Sequence, residues 1–179
     1  MKRIILLMLL ATLFTSCVPS VNPLFFQRDL VFKKSLLGKW TGENETWTFS
    51  SEDGKKYTLH HHDGEYSGTY VAHLLELKGE NFLDITAQSV DACNYLQKLT
   101  AFEVHTFARL IFIDEKMEIQ FLSYEELDKG LKAEKLDVKH VRNSDGEILL
   151  TASTSELQEF VLNNMSLFDV GLELNMIDE

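Results

Sequence analysis

The chain has 179 residues, with 28 Asp and Glu against 17 Lys and Arg, for a formal charge of −11. Contacts to nucleic-acid phosphates need clustered Lys and Arg, so this balance excludes a non-specific nucleic-acid binder. Apolar residues make up 45% of the chain, with 12 Phe among them, which excludes disorder and fits one domain built on a single core.

Lys2 and Arg3 open the chain and an apolar run follows from Ile4 to Leu13. A membrane-spanning helix needs about 20 apolar residues to cross roughly 30 Å of hydrocarbon. This run meets Thr15, Ser16 and Pro19 too soon, so residues 1–16 read as a signal peptide. The stretch Leu13-Phe14-Thr15-Ser16-Cys17 then resembles the lipobox of bacterial lipoproteins, with Phe14 where leucine is commonest. The resemblance implies a diacylglyceryl group on the Cys17 sulfur, cleavage before Cys17 and a membrane anchor of two or three acyl chains. It also places the mature protein in the cell envelope, and Val18, in the position where aspartate marks inner-membrane retention, favours the outer membrane. Cys93 is the other cysteine, so a lipidated Cys17 leaves no disulfide within the mature chain.

Residues 17–34 hold both prolines, Pro19 and Pro23, and read as a lipidated tether that becomes ordered near Leu30 to Phe32. Residues 35–179 read as one β-rich globular domain. Period-two alternation predicts strands over Lys39–Thr41 continuing into Thr46–Phe49, then Lys56–His61, Tyr66–Leu77, Phe82–Thr86, Val104–Ile113, Glu118–Leu122, Asp137–Arg142 and Glu147–Ala152. Ser51-Glu52-Asp53-Gly54, Asp63-Gly64 and Asn143-Ser144-Asp145-Gly146 supply hairpin turns, so neighbouring strands are expected to be antiparallel. Ser123-x-x-Glu126 and Ser153-x-x-Glu156 fit capping boxes, opening helices to about Leu131 and Asn163, and a further short helix is expected over Asp91–Thr100. The fold class is therefore mainly β (α+β): an antiparallel meander of about eight strands, either a bent sheet or a calycin-like barrel, with two or three short helices.

Of the six histidines, His60 and His62 share one face of a strand, and His73 from the next strand is a candidate third ligand for zinc. The sequence contains no H-E-x-x-H, no paired C-x-x-C, no G-x-S-x-G elbow and no Gly-rich phosphate loop, so no cofactor is expected and an enzyme is disfavoured. Gly38-Lys39-Trp40 resembles the G-x-W signature of lipocalins, which implies a tryptophan plugging one end of an eight-stranded barrel. Cys17-Val18-Pro19-Ser20, Leu37-Gly38-Lys39-Trp40, Phe82-Leu83-Asp84, Val104-His105-Thr106-Phe107 and Leu150-Thr151-Ala152-Ser153-Thr154 resemble a group of bacterial lipoproteins of unknown function. The expected function is a membrane-anchored envelope module that binds an apolar small molecule or an envelope protein without catalysis. A histidine-based metal-binding protein or metal-dependent hydrolase is the alternative.

Overall fold

The computed structural model describes residues 18–88 and 103–177. The signal peptide, Cys17, Cys93 and the helix expected over Asp91–Thr100 lie outside the described residues. The first expected strand, Lys39–Thr41 continuing into Thr46–Phe49, turns back on itself at Gly42–Glu45 and becomes two antiparallel strands, β1 (Gly38–Thr41) and β2 (Thr46–Ser50). The next alternating segments form β3 (Tyr57–His62), β4 (Ser67–Leu77), β5 (Glu80–Ala87), β6 (His105–Ile113) and β7 (Lys116–Leu122). After β7 come α1 (Tyr124–Lys132), the short hairpin β8 (His140–Arg142) and β9 (Ile148–Leu150), α2 (Thr154–Asn163) and β10 (Phe168–Ile177). Strands β1 to β7 and β10 close into an antiparallel barrel, with β10 between β7 and β1. Of the two architectures the sequence left open, the barrel is the one adopted.

Two expected strands change role. Asp137–Arg142 and Glu147–Ala152 shorten to β8 and β9, which pair with each other outside the barrel. The eighth barrel strand is β10, which the sequence reading did not include. Its alternation is broken by a register shift between Phe168 and Val170. Phe168 and Leu174 have the same parity in sequence, yet Phe168 lies in the outer apolar layer and Leu174 in the barrel. A bulge inserts the extra residue that moves one set of side chains to the other face and hides the pattern.

The barrel lumen is filled by its own side chains. Trp40, Phe49, Tyr57, Leu59, Leu74, Leu83, Leu110, Met117, Ile119 and Leu174 form one apolar cluster, each of them 2% exposed or less. One end is closed by the stretch preceding β1. Trp40 Nε1 donates to the Leu36 carbonyl at 3.0 Å, and Tyr57 Oη donates to the Lys33 carbonyl while accepting from its N–H. Phe32 stacks on the Tyr57 ring at 5.0 Å. The chain enters β1 through Gly38 at φ +120°, where a side chain would be strained, and two residues later Trp40 drops into the lumen. Gly38 and Trp40 thus set the start of β1 and place an indole at this end of the lumen.

The outer face of β4 to β7 supports a second apolar layer. Leu75, Leu77, Phe82, Phe107 and Leu122 pack beneath Leu127 of α1, Leu157, Phe160 and Val161 of α2, and Ile148 and Leu150 of β9. This explains why β4 is apolar on both faces: Ala72 and Leu74 point into the barrel, and Leu75 and Leu77 point into the layer. Both predicted helix starts are present. Ser123 Oγ accepts from the Glu126 N–H, and Ser153 N–H and Oγ both donate to Glu156.

Residues 18–34, read as a tether, run along the barrel instead of projecting from it. Ser20 exchanges both backbone hydrogen bonds with His105, each 2.8 Å, and Leu150 bonds to Pro19 and Val21 on the other side. Asn22 Nδ2 donates to the Ala152 carbonyl, Thr154 Oγ1 to that of Pro23, and Gln158 Nε2 to that of Leu24. Val18 and Leu24 are buried in the outer layer. The β6–β7 ladder spans Ala108 to Ile113 of β6, and Ser20 takes the pairing edge of His105 before that ladder begins.

Candidate functional site

Three polar clusters stand out on the barrel. The first is the outer face of β2, β3 and β4. Tyr57 and Leu59 of β3 point into the lumen, and the alternation turns Thr58, His60 and His62 outward. The register sets His60 between Thr48 and Thr69, and His62 between Thr46 and Ser67. These residues line a concavity of about 290 Å³. His60 Nδ1 lies 3.0 Å from Thr69 Oγ1, and His62 Nδ1 donates to the Tyr66 carbonyl at 3.2 Å. A carbonyl only accepts, so neutral His62 carries its proton on Nδ1 and presents Nε2 as an acceptor.

His73 does not join them. It lies four positions along β4 from Thr69, the partner of His60, which is about 13 Å at the rise of a strand. Its ring packs on Phe25 of the docked N-terminal segment at 4.6 Å. Among the described residues there is no group of three or more His, Cys, Asp or Glu placed to hold a metal ion. The sequence pattern had the shared face of His60 and His62 right, but the strand register carries His73 away from it.

The second cluster is where His73 does belong. His73 is the cross-strand partner of Asp84 on β5, and Asp84 is fully buried beneath the N-terminal segment. Asp84 Oδ1 accepts from His105 Nδ1 at 2.6 Å, and Oδ2 accepts from the Leu24 N–H at 2.8 Å. One carboxylate thus ties β5 to β6 and to the segment docked across both. Ser20 sits beside His105, but its hydroxyl donates to the Asn22 carbonyl and accepts from the Asn22 N–H, closing a local turn. The arrangement is a buried polar clamp on residues 20–24. The clue in the sequence was an aspartate inside the apolar run Phe82 to Ile85, a position that burial penalises unless the carboxylate is paired.

His73 Nδ1 is buried without a hydrogen-bond partner. Burial holds its pKa below the usual 6.5, against the opposing pull of Asp84, while Lys56 and His105 push it the same way as burial and Glu103 pulls it up. The unfolded chain therefore binds a proton more readily than the folded one. The stabilising contribution of neutral His73 is full above pH 6.5 and is lost as pH falls through the depressed folded value. Urea unfolding at about pH 7.5 and pH 5.5 should show the wild type losing stability relative to His73→Phe as pH falls. Parallel behaviour of the two proteins would refute this assignment.

The third cluster lies at the end of the barrel away from Leu36. Glu45 Oε2 accepts from Trp47 Nε1 at 2.6 Å and from His61 Nε2 at 3.1 Å. The His61 hydrogen bond draws the Glu45 carboxyl below its ordinary pKa, although burial acts in the opposite sense. The Trp47 ring meets His61 edge-on at 5.0 Å. The polar groups of this trio satisfy one another. Comparison of the chain with protein-family models, curated protein sequences and solved structures gives no match.

Proposed function

We propose that this chain is a lipid-anchored envelope module, attached through Cys17, that acts without catalysis by contact with another envelope protein through its outer surface. The observation that carries the choice of surface over lumen is the filling of the barrel. Sites for apolar small molecules are cavities of about 300–1,000 Å³. Here that volume holds Trp40, Phe49, Tyr57 and their neighbours, all nearly inaccessible to solvent. Among the described residues, a concavity lined by His60 and another lined by Phe160 of α2 both lie outside the barrel. The acidic charge and the exposed Thr and His face offer a polar partner a recognisable surface.

Cells fed an alkynyl palmitate should label the wild type, and Cys17→Ser should abolish the label. Cross-linking in intact cells should then capture one protein in stoichiometric amount, while saturating fatty acid leaves the Tm of the purified domain unchanged. A saturable rise in Tm with fatty acid would overturn the surface reading and restore the lumen as the site.

A further inference from the structure

We infer that the domain is held close against the bilayer on its anchor side, where the N-terminal strand emerges beside the outer helical layer, with the His60 and His62 face turned away from it. This inference rests on the proposed lipidation of Cys17. Val18 is the next residue, one peptide unit or about 3.8 Å away between Cα atoms, and its side chain is 3% exposed. Two residues further on, Ser20 is held on both sides, by His105 of β6 and through its neighbours Pro19 and Val21 by Leu150 of β9. No flexible run separates the lipidated residue from the fold. A free tether over residues 17–34 would allow an r.m.s. excursion of about 20 Å or more, whereas chain connectivity here confines the glycerol of the lipid to the immediate surroundings of Val18.

The ring order of the barrel then sets what faces the other way. Around the closed sheet β6 is four strands from β2, and β7 is four strands from β3. The anchor side, where Ser20 pairs with β6, is therefore diametrically opposite the outer face of β2 and β3 that carries Thr48, His60 and His62. Val21 and Val104 follow and precede the bridged residues Ser20 and His105, and are 47% and 42% exposed. They give the anchor side apolar contacts suited to the headgroup boundary. The covalent reach keeps the anchor side near the bilayer in spite of the acidic charge of the domain.

The lipidated full-length mature protein in nanodiscs containing gadolinium-headgroup lipid tests this by NMR. Intact mass first establishes the acyl chains on Cys17. A chain without them fails the lipidation reading and removes the premise of this inference. With the lipid present, paramagnetic broadening of the Val21, Val104 and Leu149 amides should be several-fold stronger than that of Thr48 and His60. A flexible Gly-Ser insert of about ten residues between Cys17 and Val18, adding a reach of about 17 Å, should make the broadening weak and even. Equally weak, even broadening in the lipidated chain without the insert would overturn the inference.

Discussion

Replacing Trp40 with alanine should cost about 3–5 kcal/mol of stability, the largest single loss expected from any lumen residue. The indole occupies the closed end of the barrel at 2% exposure and donates its N–H to the Leu36 carbonyl. Alanine removes the ring and leaves a cavity between Leu36 and the barrel wall that backbone closure prevents from collapsing. It also leaves that carbonyl without its donor. The Leu36 turn, the Tyr57 hydroxyl and the Phe32 ring all rest on this end of the barrel, so the loss reaches beyond one contact. A domain of this size has about 5–15 kcal/mol in total, so Trp40→Ala should remain folded only marginally. Trp40→Phe keeps an aromatic ring and gives up the hydrogen bond, worth about 1 kcal/mol, together with part of the volume. Urea midpoints should rank wild type above Trp40→Phe above Trp40→Ala, with the slope of the transition unchanged. Equal midpoints for Trp40→Ala and the wild type would remove Trp40 from its role as the plug.

How much of this was legible depended on how local the cause was. The capping boxes at Ser123 and Ser153 and the turn at Asn143–Gly146 involve residues within four positions of one another, and all three form where the sequence predicts. Gly38 and Trp40 were readable for the same reason, since a positive-φ residue and a bulky ring two positions later act together. Closure was not readable. It depends on β10, whose alternation changes face at Phe168, and on pairing with β1 at the far end of the chain. The docked segment was also misjudged, because two prolines, a serine and an asparagine look like a linker. Those groups instead make specific hydrogen bonds to β6, β9, Ala152 and the start of α2, more than 80 residues away. The histidines divide along the same line. Alternate positions on β3 gave the shared face of His60 and His62. Placing His73 required the β4–β5 register, and with it came Asp84 and His105, which the sequence reading never joined.

Asp84→Ala should cost about 3–5 kcal/mol, and the loss should begin at the N-terminal segment. Alanine strands the His105 imidazole and leaves the Leu24 N–H without an acceptor in a buried layer. Each unsatisfied group carries about 1–3 kcal/mol of desolvation cost. The protein can escape part of it by letting residues 18–30 lift away and hydrate, at the expense of the Ser20, Asn22 and Leu24 contacts to β6, Ala152 and α2. Hydrogen exchange should therefore accelerate first at the Ser20 and Leu24 amides, while those of Trp47 and Leu59 within the β1–β2 and β2–β3 ladders stay protected until global unfolding. Asp84→Asn separates charge from hydrogen bonding. Its amide oxygen still accepts from Leu24, and its NH₂ can donate to His105 in the other tautomer, so both partners keep a bond. Asparagine should thus retain most of the stability that alanine loses and leave the segment docked. If asparagine proved as damaging as alanine, the negative charge of Asp84 would be the clamp. If alanine changed neither the urea midpoint nor Leu24 exchange, Asp84 would hold nothing, and docking would rest on the backbone ladder between Ser20, His105 and Leu150 alone.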